Sequence, residues 1–257
     1  MSALAAPRAA GHATAALVFV GRSLRHSVRS IDALLTSLML PVSILLMFVY
    51  VFGGAIRSNG PYVDYVVPGI IVLCAGFGSA SVAVAVALDM TNGVIDRFRT
   101  LPISAGSVLT GHVVANVCRN IVSTTLVIGV ALVCGFRPVA DPTRWLAAAG
   151  LLLALMVAIS WVATSFGLLV KSVETANALT FIAAFAPYLS SAFVAPETMP
   201  AGVQWVAENQ PVTPVVDTLR DLTLGAHVGS EAFVALGWCV AAAIAGRVAA
   251  GVLFRRR

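Results

Sequence analysis

Few side chains in this 257-residue chain have the type and spacing that catalysis or metal binding would require. The histidines, His12, His26, His112 and His227, are scattered, and no two of them stand at ligand spacing. Cys74, Cys118, Cys134 and Cys239 all fall inside apolar runs with no C-x-x-C among them, so they read as small packing residues. Lys171 follows Gly167-Leu-Leu-Val and precedes Ser172, without the glycine before the lysine that a phosphate-cradling P-loop needs. Neither a G-x-S-x-G elbow nor an H-E-x-x-H pair occurs. Asp217 and Asp221 lie one helical turn apart and read as a solvated acidic face. The expectation is a chain with no catalytic residue, no metal and no cofactor of its own.

Two other patterns carry more information. His112, Asn116, Arg119, Asn120 and Ser123 recur at helical spacing and share one face inside an otherwise apolar run. A charge at mid-membrane costs about 2.5–3.5 kcal/mol on insertion scales. Asn116, Arg119, Asn120 and Ser123 line an inner vestibule, or the stripe pairs with Asp89 or Glu174, or Arg119 snorkels toward the cytoplasm. Arg247 poses the same choice. The second pattern is the polar stretch from Asp89 to Gly106. Its middle fits a short charged helix with Ile95, Phe98 and Leu101 on one side, stopped by Pro102. A lone aromatic, Phe98, between Arg97 and Arg99 suits insertion into a partner's groove.

The elements that must position these residues are membrane helices. Hydrophobic residues make up 59% of the chain, charged residues 11%, and the mean hydropathy is +0.95. That is less than half the charge of an ordinary soluble domain, at about 25%. The apolar runs are continuous rather than alternating, so helices rather than a barrel are expected to cross the bilayer. Six spans are expected, over residues 32–52, 66–88, 108–136, 144–170, 176–194 and 232–254, with Pro41 kinking the first. Before them, residues 14–31 read as an amphipathic interfacial helix. Leu17, Val20, Leu24, Val28 and Ile31 lie on one side of it, and Arg22, Arg25 and Arg29 on the other. Residues 195–230 are too polar for a simple span. With six crossings both termini share a side. That side carries ten basic residues (Arg8, Arg22, Arg25, Arg29, Arg97, Arg99, Lys171 and Arg255 to Arg257), against four on the other (Arg57, Arg137, Arg144 and Arg220). The termini and the 89–106 loop are therefore expected in the cytoplasm, and 195–230 outside. The net charge of +5 sits beside the spans rather than on one soluble face, which argues against nucleic-acid binding.

The stretch Gly93-Val-Ile-Asp96-Arg97-Phe98-Arg99-Thr100-Leu101-Pro102-Ile103-Ser104 resembles the signature of type-2 ABC exporter permeases, especially the daunorubicin-resistance (DrrB-type) branch. A second match is Gln210-Pro211-Val-Thr-Pro214-Val-Val-Asp217-Thr-Leu-Arg220, ending at Gly225. With the spans and the amphipathic N-terminus, the resemblance covers nearly the whole chain. It implies an all-α polytopic permease domain in a bacterial inner membrane. Asp96, Arg97, Phe98, Arg99, Leu101 and Pro102 would form a coupling helix on a separate ATPase subunit, present in two copies, which binds the ATP and magnesium. Two permease chains, identical or related, would pair. The segment before the last span would form external re-entrant helices gating the outer end, with Pro211, Pro214, Asp217 and Arg220 at the gate. The apolar interior favours hydrophobic drugs or lipids as cargo. The alternatives are a permease for a lipid-linked polysaccharide, a secondary transporter without an ATPase, a membrane enzyme, or a purely structural membrane subunit. No internal repeat or midplane carboxylate supports the secondary transporter.

Overall fold

A computed structural model describes residues 31–54, 60–92, 105–170 and 172–256. The expected interfacial helix (14–31) lies outside these residues except for its last position, and the coupling segment, Asp96 to Pro102, lies wholly outside them. The described residues are helical, with no strand among them. Helix α1 (Ile31–Leu46) runs through Pro41 and continues as a π-helical stretch, Met47–Phe52. Helices α2 (Tyr62–Ala80) and α3 (Val82–Thr91) are interrupted only at Ser81. Then come α4 (Ala105–Val133), α5 (Pro142–Leu169) and the short α6 (Val173–Ala184). Two 3-10 turns, Ala186–Leu189 and Pro196–Thr198, lead to α7 (Ala201–Asn209), α8 (Val212–Leu224) and the final helix α9 (Glu231–Arg256).

Among the described residues four helices are long and apolar enough to cross a membrane: Tyr62–Thr91, Leu109–Val133, Pro142–Leu169 and Glu231–Arg255. Leu38–Phe52 is a shorter apolar helix. The stretch expected as the fifth crossing, 176–194, is not one continuous helix. α6 stops at Ala184, and Pro187, which has no N–H to continue the ladder, sits in the 3-10 turn that follows.

Helix α5 is the hub. Its first turn is fixed by Asp141, whose Oδ1 accepts the Arg144 N–H at 2.8 Å with Pro142 at the first helical position. That bond and a second from the Thr143 hydroxyl hold the exposed Asp141 carboxyl below its ordinary range. α5 packs against α2, α3, α4, α6, α8 and α9, most extensively against α9. Burial is uneven. In the most apolar stretch of Tyr62–Thr91, 67% of residues are buried inside the chain, against 17% for the last helix. On α9, Phe233, Trp238, Ile244 and Val248 are exposed. In water such a face would be an aggregation surface, but a hydrocarbon solvent accepts it.

Candidate functional site

Two polar clusters interrupt the apolar packing, at different heights. The first is organised around Arg220 on α8. Val215, Val216, Leu219 and Leu222 turn the apolar side of α8 into the bundle, and Pro214 stands in its first turn, where a missing N–H leaves no gap in the ladder. Pro211 stands just before its first residue. Its far end closes on Gly225 at φ 77°, a left-handed cap that favours glycine. Arg220 and Asp217, one turn apart, form an ion pair at 2.5 Å. Arg220 also donates to the Ser191 carbonyl at 2.7 Å and the Tyr65 carbonyl at 3.2 Å, and its guanidinium lies 4.0 Å from the centre of the Tyr65 ring. The Ser191 hydroxyl donates to Asp217 at 2.7 Å, and the Tyr65 hydroxyl donates to the Ser191 carbonyl at 3.0 Å. One residue pair thus ties α8 to the start of α2 and to the irregular segment after α6.

That segment is wedged rather than draped. A Cβ at Gly69 would fall 2.6 Å from the Ala192 carbonyl oxygen, so α2 admits it only because residue 69 has no side chain. Phe193 stacks between Phe48 of the π-helical stretch and Tyr188, with centroids at 4.4 and 5.1 Å, and its carbonyl accepts the Tyr62 hydroxyl. Nearby, Arg144 donates to the Ala226 carbonyl at 2.8 Å, and the Val139 N–H to the Thr223 carbonyl. The starts of α2 and α5, the end of α4 and the second half of α8 are therefore laced together at one end of the bundle. Burial first, and then Asp217, raise the Asp221 carboxyl above its ordinary range.

The second cluster lies deeper, between α4, α2 and α5. Asn116 donates to the Ser79 carbonyl and the Ser160 hydroxyl, both at 3.2 Å. Asn120 donates to the Ala75 carbonyl at 2.7 Å and the Ser79 hydroxyl at 2.8 Å. Its Oδ1 lies over Gly78 and is buried, with no hydrogen-bond partner among the described residues. Asn116, Asn120 and Ser123 are only 3%, 2% and 4% exposed, so in this structure they face neighbouring helices rather than an open channel. Arg119 Nη2 donates to Asn116 Oδ1 at 2.6 Å and Ser81 Oγ at 3.1 Å. Neither Asp89 nor Glu174 is its partner. Asp89 pairs instead with His112, at 3.0 Å.

The ABC-2 type transporter family model matches residues 14–224. The chain belongs to the ABC-2 type transporter family. It is 30% identical over 228 residues to the daunorubicin resistance ABC transporter permease protein DrrB1 of Streptomyces coeruleorubidus, covering 84% of this chain and 80% of the relative. It is 24% identical over 267 residues to the probable doxorubicin resistance ABC transporter permease protein DrrC of Mycobacterium tuberculosis, covering 98% and 95%. As an ABC-2 permease this is a multi-pass membrane protein, the transmembrane subunit of an ABC exporter. It is a transport component rather than a catalytic one, in a family that works with an ABC ATPase partner.

On this permease the structure brings together Asp217 and Arg220, and Asn116, Arg119 and Asn120, but as two separate clusters. Sequence reasoning missed Tyr62, Tyr65 and Ser191 in the first cluster and Ser79, Ser81 and Ser160 in the second. Tyr62 and Tyr65 carried a usable signal, two tyrosines at helical spacing at the mouth of a span, as in an aromatic belt. The serines carried none, because serine is common at close helix contacts whether or not it holds a partner.

Proposed function

We propose that this permease moves hydrophobic drugs or lipids outward through a path formed with a second permease chain, driven by two ATPase subunits docked beneath. In this reading the chain crosses the inner membrane six times with both termini in the cytoplasm. α1 and the α6 region supply the crossings beyond the four long helices. Asp96 to Pro102 then form the coupling helix, with Phe98 as its anchor. The Asp89–His112 pair supports the reading, because it fastens together the two helices from which that loop emerges. At the opposite end, the re-entrant segment and α8 act as the outer gate. Pro211 and Pro214 set the break, and Arg220 and Asp217 serve as its latch to α2. Closure of the ATPases pushes the coupling helix, the bundle rocks, and the latch must yield for cargo to leave.

The observation that carries the proposal is the family match over 14–224, joined to relatives whose names are those of drug-resistance permeases. The test is affinity purification of the permease in mild detergent. An ATPase should co-purify with wild type and be lost with Phe98→Ala. Export that persists in a strain with no such ATPase would refute it.

A further inference from the structure

Arg119 is tied into the bundle by its Nη2, which donates to Ser81 at the break between α2 and α3. Ser81 stands ten residues before the end of α3, Trp161 eight before the end of α5, and Arg247 nine before the end of α9. At about 1.5 Å per residue, all three lie about 12–15 Å inside the same end of the bundle. Ser160, beside Trp161, receives the Asn116 bond, and the Arg247 guanidinium sits 5.3 Å from the centre of the Trp161 ring. α5 therefore meets Arg247 directly at Trp161 and reaches Arg119 through Asn116. Among the described residues neither cation has a carboxylate within ion-pair distance, and Asp89 is taken by His112. Among the described residues Arg119 is held by neutral oxygens only, and it remains partly accessible. A protein that retains uncompensated positive charge at this depth is complementary to an anion brought from outside the chain.

We propose that Arg119, fixed at the Ser81 break, receives the negatively charged head of an amphiphile, and that the cargo is an anionic amphiphile rather than a cationic one. This rests on the exporter reading and narrows its substrate class. The chemistry recognised is a phosphate-type headgroup on apolar tails. It has two sources, a resident bilayer phospholipid or the molecule being moved.

The test uses the permease–ATPase complex with two probes, fluorescently labelled phosphatidylglycerol and daunorubicin, a cationic amphiphile. Binding is read first, in detergent. Arg119→Gln should weaken phosphatidylglycerol binding at least tenfold, and Arg119→Lys should retain it. Asn116→Asp should weaken it as strongly as Arg119→Gln, because it places a carboxylate on the guanidinium without removing the arginine. Daunorubicin binding should not fall in any of them. Equal phosphatidylglycerol affinity in wild type, Arg119→Gln and Asn116→Asp would overturn the site. Movement is read second, in vesicles with ATP. ATP-dependent transfer of phosphatidylglycerol, lost in Arg119→Gln, supports it as cargo. Bound phosphatidylglycerol that stays in place while daunorubicin moves marks a resident lipid and overturns the cargo assignment, leaving the exporter reading intact. Binding with no movement of either probe likewise overturns the cargo assignment and leaves the anion site standing.

Discussion

Arg220 and Arg119 are both half-hidden arginines on helices, yet the chain treats them in opposite ways. Arg220 has a carboxylate partner, two backbone carbonyls and an aromatic face. Arg119 has an amide oxygen and a hydroxyl. The first arrangement neutralises the charge and spends it on joining three elements, as a fastening does. The second leaves the charge available. An arginine that only stabilised the bundle would be expected to look like Arg220.

The comparison is broken most forcefully by substituting the two arginines in parallel. Arg220→Leu should cost about 2–3 kcal/mol, because it removes the cation that pairs with Asp217 and one donor from each of two carbonyls. Arg119→Leu should cost less than about 1 kcal/mol, since no ion pair is lost and an insertion penalty is relieved. Thermal unfolding of the purified permease in detergent reads both. Similar losses would remove the distinction. Asn120→Ala comes next, at about 1 kcal/mol, the usual range for an interhelical hydrogen bond in a membrane. A much larger loss would make the inner cluster the principal fastening of the fold. Smaller still, Asp89→Asn and His112→Gln should each change stability by about 0.5 kcal/mol. Their double variant should cost no more than either alone, as a double-mutant cycle would reveal. The smallest effect belongs to Asp221→Asn. The folded state raises the Asp221 pKa, so its ionised form works against folding above that pKa and the penalty fades as the pH falls through it. The variant should melt slightly higher than wild type at pH 7. The gap should close below about pH 4, where the unfolded carboxyl is protonated too.

Much of the architecture could be read from the residues, for a simple reason. In hydrocarbon every backbone group must be bonded within the helix, so long apolar runs have one solution. That logic fails where protein rather than lipid surrounds the backbone. Around Pro187 the chain leaves the helix, and the carbonyls this frees are met by Tyr62, Tyr65, Gln210 and Arg220, which lie far from it in sequence. The inner stripe was legible as one face of α4, but its direction was not. A row of polar residues at helical spacing looks the same whether it faces a channel or a neighbouring helix. Only the small residues of α2 opposite it, Ser79 and Gly78, decide that Asn120 packs inward. Arg119 drew attention by its charge. Its partners could not be foreseen, because a serine and an asparagine at close helix contacts give no sign in the sequence of which cation they meet.

The contrast between the two arginines has meaning only if the Arg220 end faces outward and the 89–106 loop faces the ATPase. The direct measurement is labelling with a membrane-impermeant maleimide in intact cells, on a permease whose four native cysteines have been replaced. A cysteine at exposed Ser230, on the Arg220 end, should react, and one at Thr100 should react only after the membrane is opened. Labelling of Thr100→Cys in intact cells, with Ser230→Cys protected, would contradict the account.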